Sequence, residues 1–166
     1  MTHYESLVQI ARSYLNLHEE GDNRGELIDK MNQMMGVAVG SPWCAAFVWH
    51  CLNECNFKTG VGSKLFKSAN CMMIWEKSNK KLRKSEPEIG YLVVYQMYSK
   101  SGYATQAGHI GIVTSFKSAF EITDISGNTS VKNSVDREGR IVAENQRKLS
   151  KNDGTMRFVG FLDPFS

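Results

Sequence analysis

Residues 41–55 read SPWCAAFVWHCLNEC. Ser41 is a favourable N-cap and Pro42 suits a first helical position, so a helix is predicted to open here with Cys44 in its first turn. A sulfur at that position sees the positive end of the helix dipole, which favours thiolate over thiol. At roughly 100° per residue, Phe47, Val48, Cys51 and Cys55 share a face with Cys44. The helix thus aims its first-turn sulfur along a buried stripe. The competing reading makes Cys44 one more small apolar residue of that stripe, as Cys51 and Cys55 are expected to be.

Upstream, Thr2-His3-Tyr4-Glu5 has the form of a capping box, and Leu7, Ile10, Ala11, Tyr14 and Leu15 recur at helical spacing, which predicts a helix to about Leu17. Asn23-Arg24-Gly25-Glu26 repeats the box before Leu27, Ile28, Met31, Met34 and Met35, a second helix ending near Gly36. The acidic stretch between them, residues 18–23, lacks the alternating ligand spacing of a calcium loop and reads as a plain connection. Downstream, the glycines of residues 59–63 make a turn without the lysine of a phosphate-binding loop. Lys64 to Ser78 carries a fourth helical pattern, and Pro87 closes the helical half.

From Tyr91 the texture changes to short β-branched and aromatic runs. Tyr91–Tyr98, His109–Phe116, Ala119–Ile125, Arg140–Arg147 and Met156–Leu162 read as strands separated by Gly, Ser, Asn and Asp. Helices first and strands after predict an α+β fold with an antiparallel sheet.

The 166 residues, 42% hydrophobic, are enough for one core and short for two, so a single domain over residues 1–166 is expected. No apolar run approaches membrane-span length, and the amphipathic N-terminus does not look like a secretory signal. The net charge of +3 is concentrated in Lys77, Lys80, Lys81, Arg83 and Lys84, a run that reads first as a solvated face. No nucleic-acid motif accompanies it. Three cysteines on one helix cannot pair with one another. A zinc site from Cys51, Cys55, Cys71 and a histidine is the sharper alternative, against which stands the lack of a Cys-x-x-Cys pair.

If Cys44 is a nucleophile it needs a base within hydrogen-bond reach, and a third group to hold that base. His50 lies about 9 Å up the same helix and on another face. His3 belongs to the first turn of the first helix and is expected to face solvent. His18 sits in the polar loop, where geometry does not exclude it. His109, in Gly108-His109-Ile110-Gly111-Ile112-Val113, would project from the start of a central strand, flanked by glycines that allow close approach. Asn128, at the end of the next strand, offers a carbonyl that could hold the imidazole; equally, Gly127-Asn128 could only make a turn.

Taken together, Asp22-Asn23-Arg24-Gly25, Pro42-Trp43-Cys44-Ala45-Ala46-Phe47-Val48, Gly108-His109-Ile110-Gly111-Ile112-Val113 and Gly127-Asn128-Thr129 resemble the CHAP family, the cysteine, histidine-dependent amidohydrolases/peptidases. The resemblance covers nearly the whole chain. It implies a papain-like fold with a sheet of about five or six strands, and hydrolysis of an amide bond in peptidoglycan, either between glycan and stem peptide or within the peptide. It makes Cys44 the nucleophile, His109 the general base and acid, and Asn128 the orienter, with Trp43, Asn23, Arg24 and Ser126 expected to meet substrate. No metal or cofactor is implied. Many members carry glutamate where this chain has Ser126, and an aspartate where it has Tyr91.

The expected partner is bacterial peptidoglycan, with an inhibitor or immunity protein as a further candidate; neither nucleic acid nor an integral membrane is expected. The site of action is then the cell wall or periplasm, reached from the cytoplasm by lysis or by injection. The rival from another class is a non-catalytic wall-binding module that keeps the groove.

Overall fold

The computed structural model describes residues 1–129 and 139–166. Helix α1 (His3–Ser13) opens on the capping box read from the sequence: Thr2 Oγ1 accepts from the Glu5 N–H at 3.2 Å, and the Glu5 carboxylate accepts from the Thr2 N–H at 2.8 Å. It ends short of Leu17. The chain there leaves the helix to run beside strand β5 (Ile141–Lys148), with the Asn16 N–H donating to the Val142 carbonyl and the Val142 N–H to that of Leu17.

Helix α2 (Glu26–Met34) forms without its predicted box. Asn23 adopts a φ of 52° and turns its amide nitrogen to the Gly40 carbonyl at 3.1 Å, so Gly25 precedes the helix and no side chain caps it. Helix α3 (Cys44–Thr59) starts two residues later than Ser41-Pro42 predicts, because the Ser41 hydroxyl donates back to the Ala38 carbonyl at 2.7 Å instead of capping. Cys44 becomes its first residue. Gly60, at a φ of 75°, ends it in the left-handed conformation that glycine adopts at little cost.

Helix α4 is confined to Cys71–Lys77. Residues 64–70 are not helical because local hydroxyls take the backbone donors: the Leu65 N–H goes to Ser63 Oγ, the Asn70 N–H to Ser68 Oγ and the Phe66 N–H to Ser78 Oγ. A 3₁₀ turn (Lys80–Leu82) leads to the two-residue strand β1 (Arg83–Lys84), which the sequence pattern did not reveal.

Strands β2 (Leu92–Tyr98), β3 (Ala104–Ser118), β4 (Glu121–Thr129), β5 and β6 (Met156–Leu162) complete an antiparallel six-stranded sheet in the order β1-β6-β2-β3-β4-β5. The α+β arrangement is as predicted. His109 lies inside β3, opposite Tyr95 of β2, and not at the strand's start.

The helices cover one face of the sheet. Leu92, Val94, Ile110, Ile112 and Ile125 pack there against Phe47, Val48, Leu52 and the apolar faces of α1 and α2. Val93, Tyr95, Val113, Ile122, Phe158 and Phe161 form a second cluster. The first half of α3 is buried nearly all round and not along one stripe, since Ala45, Ala46 and Trp49 are covered as well as Cys44 and Phe47. Contact with β4 is close enough to require glycine at residue 127, where a Cβ would stand 2.6 Å from the Trp43 ring and 2.9 Å from Phe47 Cβ.

Candidate active site

Cys44 is 5% exposed, and its sulfur has three neighbours. Cys71, the first residue of α4, places its own sulfur 3.6 Å away. The His109 imidazole of β3 and the Ala45 N–H at the start of α3 both act on its charge. The thiol is held well below its usual range. The hydrogen bond from Cys71 is the largest cause; burial opposes it; the hydrogen bond and charge of His109 and the Ala45 N–H add to it. Cys71 is pushed well above its usual range by the same contact and by burial, and the geometry of the pair lets either thiol donate. Cys51 and Cys55 are pushed up by burial and are inert filling, as the sequence predicts.

Cys44 and Cys71 together line an open cavity of about 570 Å³. Its other walls are Met35, Val37 and Pro42 on one side and residues 66–70 with Met73 on the other. The lining is mainly apolar, and among the described residues Lys67 is the one basic side chain on it. A nucleophile at a helix N-terminus, beside an imidazole and facing such a cleft, is equipped for acyl transfer.

A family model for the CHAP domain matches residues 36–128, more than half of the chain and the part that holds both Cys44 and His109. The chain belongs to the CHAP family. Members are of the cysteine- and histidine-dependent amidohydrolase type that acts on peptidoglycan, and helices packed on a six-stranded antiparallel sheet agree with its papain-like fold. No curated protein and no solved structure matches the chain.

Of the catalytic and substrate-binding residues singled out from the sequence, Cys44 lines the cavity of this CHAP domain; His109 is buried and does not line it, and neither do the others. Asn128, at a φ of 51°, directs its amide nitrogen to Glu19 Oε1 and Asn23 Oδ1, both at 3.2 Å, and to the Gly139 carbonyl at 2.7 Å. Its amide thus serves the 19–23 turn and makes no hydrogen bond with the imidazole. Trp43 is fully buried, donating from Nε1 to Glu19 Oε1 at 2.8 Å. Asn23 joins that cluster by accepting from Asn128 and by donating its N–H to Glu19 Oε2 at 2.9 Å. Arg24 makes a two-pronged ion pair with Asp29, with nitrogen to oxygen distances of 3.0 Å. Ser126 is fully buried. None of these four lines the cavity, so their expected contact with substrate is not what their positions provide. Trp43 and Asn23 tie to Glu19 of the turn, and Arg24 ties to α2 through Asp29.

His109 Nε2 and Ser126 Oγ are both buried without a hydrogen-bond partner. Deeper in the sheet, Asp124 is fully buried, accepting from the Tyr95 hydroxyl and from Arg147 Nε, each at 3.2 Å. The other histidines stand apart. His50 bonds Tyr14 and pairs with Glu54 at 3.2 Å. His18 is exposed beside the Asn16 carbonyl. His3 does not face solvent freely, because its ring packs edge-on against Phe165 at 4.8 Å. Among the described residues no three potential ligands gather to hold a metal, and Cys71 is committed to Cys44 and not to Cys51 and Cys55.

Sequence reasoning missed the 66–70 wall and the role of Cys71, because a helical pattern was read through both. Asn70 was the available signal: an N-cap residue directly before Cys-Met-Met-Ile, whose Oδ1 accepts from the Met73 N–H at 3.0 Å.

Proposed function

We propose that the protein is a peptidoglycan hydrolase that cleaves an amide bond of the bacterial wall, as an N-acetylmuramoyl-L-alanine amidase or a stem or cross-bridge endopeptidase, through a Cys44 nucleophile. The observation that carries this is a Cys44 sulfur that lines an open cleft and is acted on by the His109 imidazole of β3. The thiolate attacks the scissile carbonyl carbon. Backbone N–H groups at the start of α3, left without intrahelical partners, face the oxygen on which charge develops. His109 gives its proton to the departing amine, leaving a thioester. It then takes a proton from water, which attacks the thioester and frees the acid and the sulfur.

The apolar cleft wall accommodates alanine-rich stem peptides, with Lys67 as the group that would meet a stem carboxylate. The protein acts at the wall or in the periplasm, delivered by lysis or injection, and an inhibitor protein would act by plugging the same cleft.

The test is digestion of purified walls by wild type and Cys44→Ala, with released amines counted and fragments identified by mass spectrometry. Cys44→Ala is expected to retain the fold and lose amine release; release at the wild-type rate would remove Cys44 from the mechanism. A second reading, a wall-binding module without turnover, draws on the unpartnered His109 Nε2, since an imidazole with no third group to hold it is a poor base. It predicts retention on intact walls with no fragments released by either protein.

A further inference from the structure

We propose that Cys71 is a positioning residue for the Cys44 nucleophile: its S–H, with sulfur 3.6 Å from sulfur, donates a hydrogen bond that holds the Cys44 sulfur toward the cleft. The proposal rests on the reading of Cys44 as a nucleophile and assigns the sulfur a donor outside the base and its orienter.

The fold places Cys71 with some rigour. Asn70 caps α4 through its Oδ1 while its Nδ2 donates to the Gln106 carbonyl of β3 at 3.2 Å, so the first residue of α4 is tied to the strand that carries His109. Gly108, the neighbour of His109, has no room for a side chain. A Cβ there would stand 3.0 Å from Cys71 Cβ and 2.6 Å from the Tyr95 carbonyl oxygen. Cys71 is itself 3% exposed, seated between α4 and β3 with its sulfur toward α3. Nucleophile, base and second thiol therefore come from three different elements and converge on one point.

The chemistry suits a donor. A hydrogen bond to an ionised acceptor is stronger than one between neutral groups, so a thiol kept protonated beside a thiolate favours the reactive form. Of the titratable groups, Cys71 from α4 and His109 from β3 act on Cys44, and Lys67 stands on the same cleft; the α2 side of the cleft contributes only Met35 and Val37. Removing Cys71 leaves His109 and the Ala45 N–H to sustain the thiolate by themselves.

The experiment follows the alkylation rate of Cys44 by iodoacetamide against pH in wild type, Cys71→Ala and Cys71→Ser, resolved by peptide mass spectrometry, with circular dichroism to establish the fold. Cys71→Ala is expected to move the half-maximal pH upward by about one unit and to slow alkylation near neutrality about tenfold, while Cys71→Ser, which keeps an O–H donor, recovers most of the loss. A folded Cys71→Ala with an unmoved profile overturns the proposal. So does a Cys71→Ser variant as impaired as Cys71→Ala, because packing alone would then account for the thiol; should Cys71→Ala fail to fold, a folded serine variant whose half-maximal pH lies about one unit above wild type overturns the proposal and one near wild type supports it. Alkylation needs no wall substrate, so a low half-maximal pH in wild type without wall digestion would sink the hydrolase reading and leave this one standing.

Discussion

Replacing Gly127 by alanine forces a methyl group into the contact between β4 and the start of α3. Its carbon would stand 2.6 and 2.8 Å from two carbons of the Trp43 ring and 2.9 Å from Phe47 Cβ. Carbon pairs rest at about 3.5–4.0 Å, so close to 1 Å of relief is needed. The ring cannot supply it, being fully buried and held at Nε1 by Glu19. Phe47 Cβ is fixed to the helix backbone. The relief must come from α3 moving off β4, and overpacking of this kind costs about 1–3 kcal/mol.

For a chain of this size each kcal/mol lowers the unfolding midpoint by about 2–4 °C, so a fall of about 2–12 °C is expected by calorimetry or circular dichroism. Cys44 follows Trp43 directly and moves with it. A displacement of about 1 Å at a reacting atom costs about a hundredfold in rate, so wall digestion should fall by that order even in the folded protein. Trimming the clashing ring with Trp43→Phe should return part of the lost stability in the double variant, a coupling that independent sites would not show. A Gly127→Ala protein melting within about 1 °C of wild type and digesting walls at full rate would refute this account of the contact.

Three further outcomes test the frame around the site. Thr2→Ala removes half of the capping box and should lower stability in urea by about 1 kcal/mol, leaving alkylation of Cys44 unchanged. Asp163 is pushed up by burial but held below its ordinary value of 3.8 by stronger opposing bonds from Ser166, the Phe165 N–H and Tyr4. Its contribution is complete above that value and is lost as pH falls through the folded value, so Asp163→Asn should cost about 1–3 kcal/mol at neutral pH and flatten the acid limb of an unfolding-midpoint profile. Tyr91 is pushed up to about 12, first by burial and then by the charge of Asp163. Its protonated form is favoured in the fold, so stability is complete below pH 10 and declines as pH rises from 10 to 12; Tyr91→Phe should shallow that decline.

What the sequence disclosed and what it hid divide along physical lines. The Thr2–Glu5 box is closed by residues three apart, and it formed as read. Strands β2 to β6 were legible from β-branched and aromatic runs bounded by Gly, Ser, Asn and Asp, whereas β1, two residues long, left no such run. Helix starts failed where side chains had a second option. Ser41 bonded Ala38, Asn23 bonded Gly40, and the serines at 63, 68 and 78 drew backbone donors out of a helical pattern from Lys64 onward.

Cys44 and His109, 65 residues apart in the chain, were paired on the glycine-flanked strand that carries His109 and on the family resemblance, with His18 left open; in the fold the charge of that imidazole acts on the sulfur. The proximity of Cys71 to Cys44 was not readable, because it depends on where α4 begins and on a glycine in another strand. Asn128 and Trp43 were assigned by their place beside the motif residues. Their side chains answer instead to Glu19, in a turn that the pattern marked only as polar.

Strand β6 is the last of the strands to be synthesised, yet it lies inside the sheet between β1 and β2. As the chain emerges from the ribosome, β2 therefore waits with a bare edge of backbone donors and acceptors until residues 156–162 arrive to fill it. The sulfur and the imidazole are both translated well before that moment, on a scaffold that is still open. A chain cut short before residue 156 would carry both the sulfur and the imidazole with no closed sheet to hold them.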